Sequence, residues 1–329
     1  MQLNRIVVGT DFSMNSVKVA EWTAAHFAPR AQLVVAHVVD VPQPPRFLRS
    51  RFPPAATLTE LARHGAMEKL GELARALDHP SIQTQVRVGR AAEQLAELAR
   101  EVGADAIVVG KHSEEGTCNR IGGVADQLLR LSPVPILVAA GVGNVPPRRL
   151  LVALDDSELT PLVVDWTRTF VDAYSASVTA LHVMSSAVLS HVLSMEAVTT
   201  GKEKFDESDI KEQFREESDR WIRSLAATGL DPACVTSEVA FGEAGKEILA
   251  AAQRLSNEMI ILGRRGAGGI RRFLLGSVVR EVLTGARCPV FVVIEPNDEV
   301  VSSSADVAGG HPQGVAGHDN RSYRAPIDS

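Results

Sequence analysis

Cysteine is scarce in this chain: Cys118, Cys234 and Cys288 stand far apart in 329 residues, odd in number and without a short spacing. That excludes a disulfide framework and any closely spaced metal or redox pair. Aromatic residues make up only 5%, and no apolar run approaches the roughly 20 residues that span a bilayer. The opening MQLNRIVVGTDFS lacks the basic, apolar and small-residue regions of a signal peptide, so the expectation is a cytoplasmic protein with no membrane partner. Basic charge is not in excess either. With 34 Lys and Arg against 40 Asp and Glu, the net charge of −6 speaks against a broad basic face for nucleic acid. Any anion site must therefore be local. What the chain does have is 45% hydrophobic content and a length that suits two domains of ordinary size.

Those two domains are written into the chain as an internal repeat. RIVVGTDFS (5 to 13) returns as RLLVALDDS (149 to 157), and AQLVVAHVV (31 to 39) as ASVTALHVM (176 to 184). VGRAAEQLAELAREVGADAIVVGKHS (88 to 113) returns as FGEAGKEILAAAQRLSNEMIILGRRG (241 to 266), and SPVPILVAA (132 to 140) as RCPVFVVIE (287 to 295). His37 to Gly89 spans 52 residues and His182 to Gly242 spans 60, which puts the variable part after the second strand of each half. Expected domains run over residues 1 to 141 and 148 to 296, joined through the Gly/Pro stretch AGVGNVPPR (140 to 148). Residues 297 to 329 hold almost no large apolar side chains and are expected to be a disordered tail, because they bury too little to offset the entropy of ordering.

Short β-branched runs alternate with longer amphipathic ones. In residues 91 to 102, Leu95, Leu98, Ala99 and Val102 recur at helical spacing with Glu93, Gln94, Glu97 and Arg100 opposite. Such alternation predicts α/β domains, each a doubly wound, five-stranded parallel sheet of order 3-2-1-4-5 covered by helices on both faces. The strands are expected near 5–10, 32–39, 82–88, 105–109 and 135–139, then 149–154, 177–183, 234–240, 258–262 and 289–294. The Pro-rich stretch from 41 to 56 is expected to be neither helix nor central strand. The charged run from 202 to 225 predicts a solvated helix that turns Phe205, Ile210, Phe214, Trp221 and Leu225 inward.

The segment GRRGAGGIRRFLLGS (263 to 277) lies between the fourth strand and last helix of the second half. Glycines at 263 and 266 allow positive φ and close approach of a ligand to the main chain. Gly276 and Ser277 put amide donors and a hydroxyl at a helix N-terminus, where the peptide dipoles favour an anion. Neither GxxxxGK[ST] nor a GxGxxG after a first strand is present, so two common phosphate cradles are excluded. Position adds to the motif, because in a sheet of this order the crevice opens between the carboxyl ends of strands 1 and 4. Asp155 and Asp156 end the one and Gly263 the other, so a nucleotide lying across them would meet a carboxylate at its base or ribose end. The plainer alternative is a long turn, with Asp155 capping the first helix.

Gly-x2-Gly-x9-Gly-[Ser/Thr], met by Gly263, Gly266, Gly276 and Ser277, resembles the nucleotide signature of the ATP-binding branch of the universal stress proteins. LLVALDDS, the LHV closing the second strand and CPVFVV of the fifth are similar to that family too, and the likeness covers both halves. It implies a tandem member that binds ATP, with or without Mg, as a nucleotide-dependent regulator in the stress response. Family contacts would then fall to Asp155 and the main chain of Val183 for adenosine, and to Gly263, Gly266, Gly276, Ser277 and the Val278 amide for phosphate. Arg264, Arg265, Arg271 and Arg272 are further candidates for polyphosphate, with Arg264 placed among the binding residues. The first half departs from the pattern. In GKHSEEGTCNRIGGV, Gly110 and Gly123 are kept, Ser113 replaces the second glycine, Val124 stands where the hydroxyl belongs, and Glu114 and Glu115 repel phosphate. ATP is expected to bind there poorly or not at all.

The family pairs its fifth strands in dimers, which implies an internal pseudo-dimer of the two halves, with a further homodimer open and the protein partner unidentified. His37 and His182 are expected to be packed strand residues rather than catalytic ones, since no triad-like partner recurs with them. No metal site is expected. Two other functions compete: a slow ATP hydrolase or adenylating enzyme on this fold, for which no dedicated base stands out, and a ligand-independent interaction module, against which the intact loop counts.

Overall fold

In the computed structural model the described residues are 2–40, 47, 53–111, 121–200, 207–265 and 275–295. The expected tail, most of the Pro-rich stretch, Phe205, Gly266 and Arg271 and Arg272 lie outside them. The compact unit runs from Met1 to Pro296.

The strands of the first half are β1 (Arg5–Gly9), β2 (Gln32–Val39), β3 (Ile82–Val88), β4 (Ala106–Gly110) and β5 (Ile136–Ala139). Those of the second are β6 (Arg149–Leu154), β7 (Ser177–Met184), β8 (Val235–Phe241), β9 (Met259–Gly263) and β10 (Val290–Val293). Their order is β3-β2-β1-β4-β5-β10-β9-β6-β7-β8. Each half has the expected 3-2-1-4-5 winding, and the fifth strands close the two sheets into one of ten strands. Pairing is parallel except at that seam, where Ile136, Leu137 and Val138 lie antiparallel to Val292, Phe291 and Val290. Two apolar edges that would otherwise invite aggregation thus cover each other.

Side chains alternate across the sheet, so one strand feeds two cores. Ile6 and Val8 join one buried cluster and Val7 the other, and both clusters draw residues from both halves. Helices α1 (Met14–Trp22), α2 (Ala55–Ala76), α3 (Ala91–Val102) and α4 (Gly123–Leu131) cover the first half. The second half has α5 (Thr160–Tyr174), α6 (Ser186–Thr200), α7 (Glu207–Ala227), α8 (Ala244–Arg254) and α9 (Ser277–Gly285). Helix α3 buries Ala92, Leu95, Ala96, Leu98 and Ala99, and stops where Gly103 takes φ 59°, the left-handed conformation that suits a C-terminal glycine. The expected boundary at 56 needs a small correction: α2 already starts at Ala55, directly after Pro54, because proline is harmless where the helix has no amide to lose. In α7, Ile210 is buried and Phe214, Trp221 and Leu225 are partly so, the inward face the pattern predicts.

The seam is also aromatic on one face of the sheet. Phe27, at the end of a π-helical turn after α1, packs against Phe170 and Tyr174 of α5, with ring centroids at 5.7 and 6.5 Å. Phe291 of β10 meets Phe170 edge-on at 4.9 Å, and the Tyr174 hydroxyl donates to the Phe27 carbonyl at 2.5 Å. Burial raises the Tyr174 pKa above the ordinary phenol range, so the hydroxyl stays a donor.

Candidate functional site

Strand order brings the carboxyl ends of β6 and β9 side by side. Val152 is level with Ile261, which puts Leu154 level with Gly263 and starts Asp155 at the opposite lip of the crevice. β7 continues beyond β6: its last pair with β6 is His182 with Leu154, while its pairing with β8 runs through Met184. The Met184 carbonyl accepts from the Gly242 amide on the β8 side. Successive residues of a parallel strand face opposite neighbours, so the peptide groups of Val183 face the crevice where β6 has ended.

Asp155 is partly buried, and its carboxylate accepts from the Ser157 hydroxyl at 2.6 Å while its carbonyl accepts from the Thr160 hydroxyl. It shapes the turn into α5 without being the N-cap, which is Leu159. Asp156 is exposed. Across the crevice, Gly276 caps α9 with φ −58° and ψ 145°, and its amide donates to the Arg264 carbonyl at 3.4 Å. The amides of Ser277, Val278 and Val279 begin the helix, where no intrahelical acceptor exists. Ser277 is exposed and Val278 partly so.

Three expectations change here. Gly263 does not take the positive φ open to it, and Gly266 lies outside the described residues; Gly263 and Gly276 are small because space is short. A Cβ on Gly263 would lie 3.3 Å from the Arg265 carbonyl and from Leu159 Cδ1, and one on Gly276 3.3 Å from the Arg264 carbonyl. Arg264 is the second correction. Only 5% exposed, it points its guanidinium into the seam, with Nη1 3.5 Å from the Leu129 carbonyl of the first half and Nε buried without a partner among the described residues. Burial lowers its pKa, the neighbouring Arg265 lowers it further, and Glu295 opposes both. Its main chain stays at the loop root; its charge faces elsewhere. Arg265 is paired with Glu295 at 2.6 Å.

The third correction concerns register in the first half. Gly122, not Gly123, caps α4, with φ −60° and ψ 144°, and its amide donates to the Lys111 carbonyl at 2.9 Å, matching Gly276 and Arg264. Asp126 then donates to the Gly122 carbonyl as Arg280 does to that of Gly276. Gly122 follows Gly110 by 12 positions, whereas Gly276 follows Gly263 by 13. The first-half loop is one residue shorter, and the residue standing for Ser277 is Gly123, not Val124. The hydroxyl is missing either way, but for a different reason.

The first half nonetheless holds a cavity of about 170 Å³ at its own crevice, bounded by Gly9, Asp11, Ala36, Val38, Lys111 and Gly123 among others. Gly9 and Ala36 stand where the second half carries Ala153 and Leu181. Burial would raise the Asp11 carboxyl, but hydrogen bonds from Ser13 and Ser16 outweigh it and hold the group below the usual range. Phe12, in the place of Asp156, takes φ 63° and stacks on His37 at 4.4 Å, while His37 Nδ1 donates to the Thr10 carbonyl at 2.8 Å. His182 lies against Phe214 and Trp221, 4.9 and 5.1 Å away, with Nδ1 3.0 Å from the Ser218 hydroxyl. Both histidines are packed residues, as expected. Burial lowers the His182 pKa, against Asp155 and Asp156, which raise it. Among the described residues there is no cluster of three His, Cys, Asp or Glu able to hold a metal, and no helix long and apolar enough to cross a membrane.

The model of the universal stress protein family matches residues 2–140 and again 147–293. The chain belongs to the universal stress protein family. A Bacillus subtilis relative, the universal stress protein YxiE, is 26% identical over 146 residues, covering 44% of this chain and 97% of its own. Universal stress protein G of Shigella flexneri is 31% identical over 81 residues, 24% of this chain and 57% of its own. The crystal structure of a universal stress protein from Archaeoglobus fulgidus superposes with a TM-score of 0.64 at 19% identity, covering 91% of this chain and 98% of the other, and so shares the tandem fold. As a family member, this chain unites both copies of the repeat in one sheet.

Proposed function

We propose that the second half binds ATP, and that this universal stress protein is a nucleotide-dependent regulator in the stress response. The observation that carries the reading is the opposition, across one crevice, of the α9 amino end and Asp155, on a loop that keeps Gly263, Gly266, Gly276 and Ser277. Ser277 and the Val278 amide take phosphate oxygens, Gly263 and Gly276 let the loop root pack close where a Cβ would crowd the main chain, and Asp155 and the Val183 main chain take the adenosine end. Asp155 and Asp156, at the lip of the crevice, would be the carboxylates to meet a Mg carried by the triphosphate. Residues 1–141 and 148–296 serve as the two units, the first with a degenerate loop. Cytoplasmic action follows from the same reading.

Native mass spectrometry of the gently purified protein, followed by ATP titration of the wild type and Gly266→Val with and without Mg, tests this. The wild type should bind one ATP and the variant should bind far more weakly; equal binding would remove the site. The competing enzyme reading predicts fast phosphate release in a single-turnover assay with Mg, which the regulatory reading does not.

A further inference from the structure

Lys111 follows the glycine that ends β4, at the root of the first-half loop, yet its side chain serves the other half. It is only 5% exposed, and its ammonium donates to the carbonyls of Thr284 at 2.7 Å and Ala286 at 3.0 Å. Those carbonyls close the carboxyl end of α9, the helix whose amino end carries Gly276 and Ser277. A cation is favoured there by the helix dipole, and the two acceptors offset the cost of burying its charge.

The arrangement is reciprocal. Arg264, in the matching position of the second half, reaches the Leu129 carbonyl at the carboxyl end of α4, whose amino end borders the first-half cavity. Between the two helices, Arg280 of α9 meets Asp126 of α4 at 3.3 Å, and Arg130 holds the same carboxylate at 3.4 Å. Each loop root is thereby tied to the far end of the helix that forms the other half's site. Among the described residues Lys111 has two short bonds across the seam and Arg264 one long one, so the link from the first half to the second is the stronger. A nine-residue helix is about 13 Å long, too short to bend, so a shift at its carboxyl end arrives at its amino end.

We infer that Lys111 is a positioning residue for the second-half anion site: by seating α9 from the first half, it sets that site's nucleotide affinity. This rests on the ATP reading above. Nothing in it requires Lys111 to touch the nucleotide.

The test is ATP calorimetry on the full chain for wild type, Lys111→Met, Lys111→Arg and Ser277→Ala, at low salt and at about 1 M salt, where charges farther apart than about 3 Å are screened. Lys111→Met should weaken ATP by about fivefold or more at both salt concentrations, and Lys111→Arg should recover part of the loss. A loss that vanishes at high salt would be long-range charge alone and would overturn the inference. So would unchanged affinity in Lys111→Met while Ser277→Ala binds weakly, and in that case the ATP site itself stands. If Ser277→Ala binds as tightly as wild type, the ATP site falls and takes the inference with it. Should Lys111→Met not fold, Lys111→Gln, which keeps an amide donor but loses the charge, should weaken ATP in the same direction, and unchanged affinity in it would likewise overturn the inference. Hydrogen exchange adds a readout independent of ligand: the first-turn amides of α9 should exchange faster in the variant while those of β10 do not change.

Discussion

The one-residue difference between the two loops makes a sharp prediction. If Gly123 occupies the place of Ser277, then Gly123→Ser should give the first half the hydroxyl it lacks, and Val124→Ser should not. Space permits the change, since a Cβ on Gly123 meets nothing within 4 Å and the position begins a helix. Replacing glycine inside a helix is mildly stabilising, by about 0.5 kcal/mol, so folding is not at risk. A hydrogen bond from a hydroxyl to a charged phosphate contributes about 1.5–3 kcal/mol, or roughly tenfold to a hundredfold in affinity. Ser113, Glu114 and Glu115 remain unfavourable, which places the expected gain at the lower end. The assay is nucleotide titration in a Gly266→Val background, so that only the first half reports. A gain from Val124→Ser and none from Gly123→Ser would refute the register; no gain from either would refute the idea that the helix-end hydroxyl is what the first half lacks.

Phe170 is fully buried between Phe27, Trp166, Tyr174 and Phe291 at the seam, so Phe170→Ala should cost about 3–5 kcal/mol in urea unfolding. Because both cores run across the seam, loss should appear as one shifted transition; two separated transitions would show that the halves unfold independently. His182 has a folded pKa below its unfolded value, so above about pH 6.5 both states are neutral and its packing contributes fully. As pH falls below that value the unfolded chain takes up the proton first, and stability drops through the folded pKa. The melting temperature should therefore fall more steeply from about pH 7.5 to 5.5 in the wild type than in His182→Gln; equal slopes would dismiss the burial argument.

Local chemistry made much of this protein legible in its sequence. The ten strands fall within about a residue of where β-branched runs between turn residues put them, because the inner strands, buried on both faces, have little freedom of composition and the edge strands β3 and β8 are bounded by turn residues. The repeat established that one half would wind like the other, and the glycine-serine turn marked a helix end with unpaired amides. Spacing alone misaligned Gly122 and Gly123, since two adjacent glycines leave no local trace of a one-residue deletion. Arg264 looked like a phosphate ligand because charge and sequence position are visible, whereas the direction of a long side chain is set by what packs around it. Only the antiparallel meeting of β5 and β10 brings the loop roots of one half against the helix ends of the other. The contacts of Lys111, 173 and 175 residues away in the chain, exist for that reason: they depend on the closure of one sheet, which no short stretch of sequence encodes.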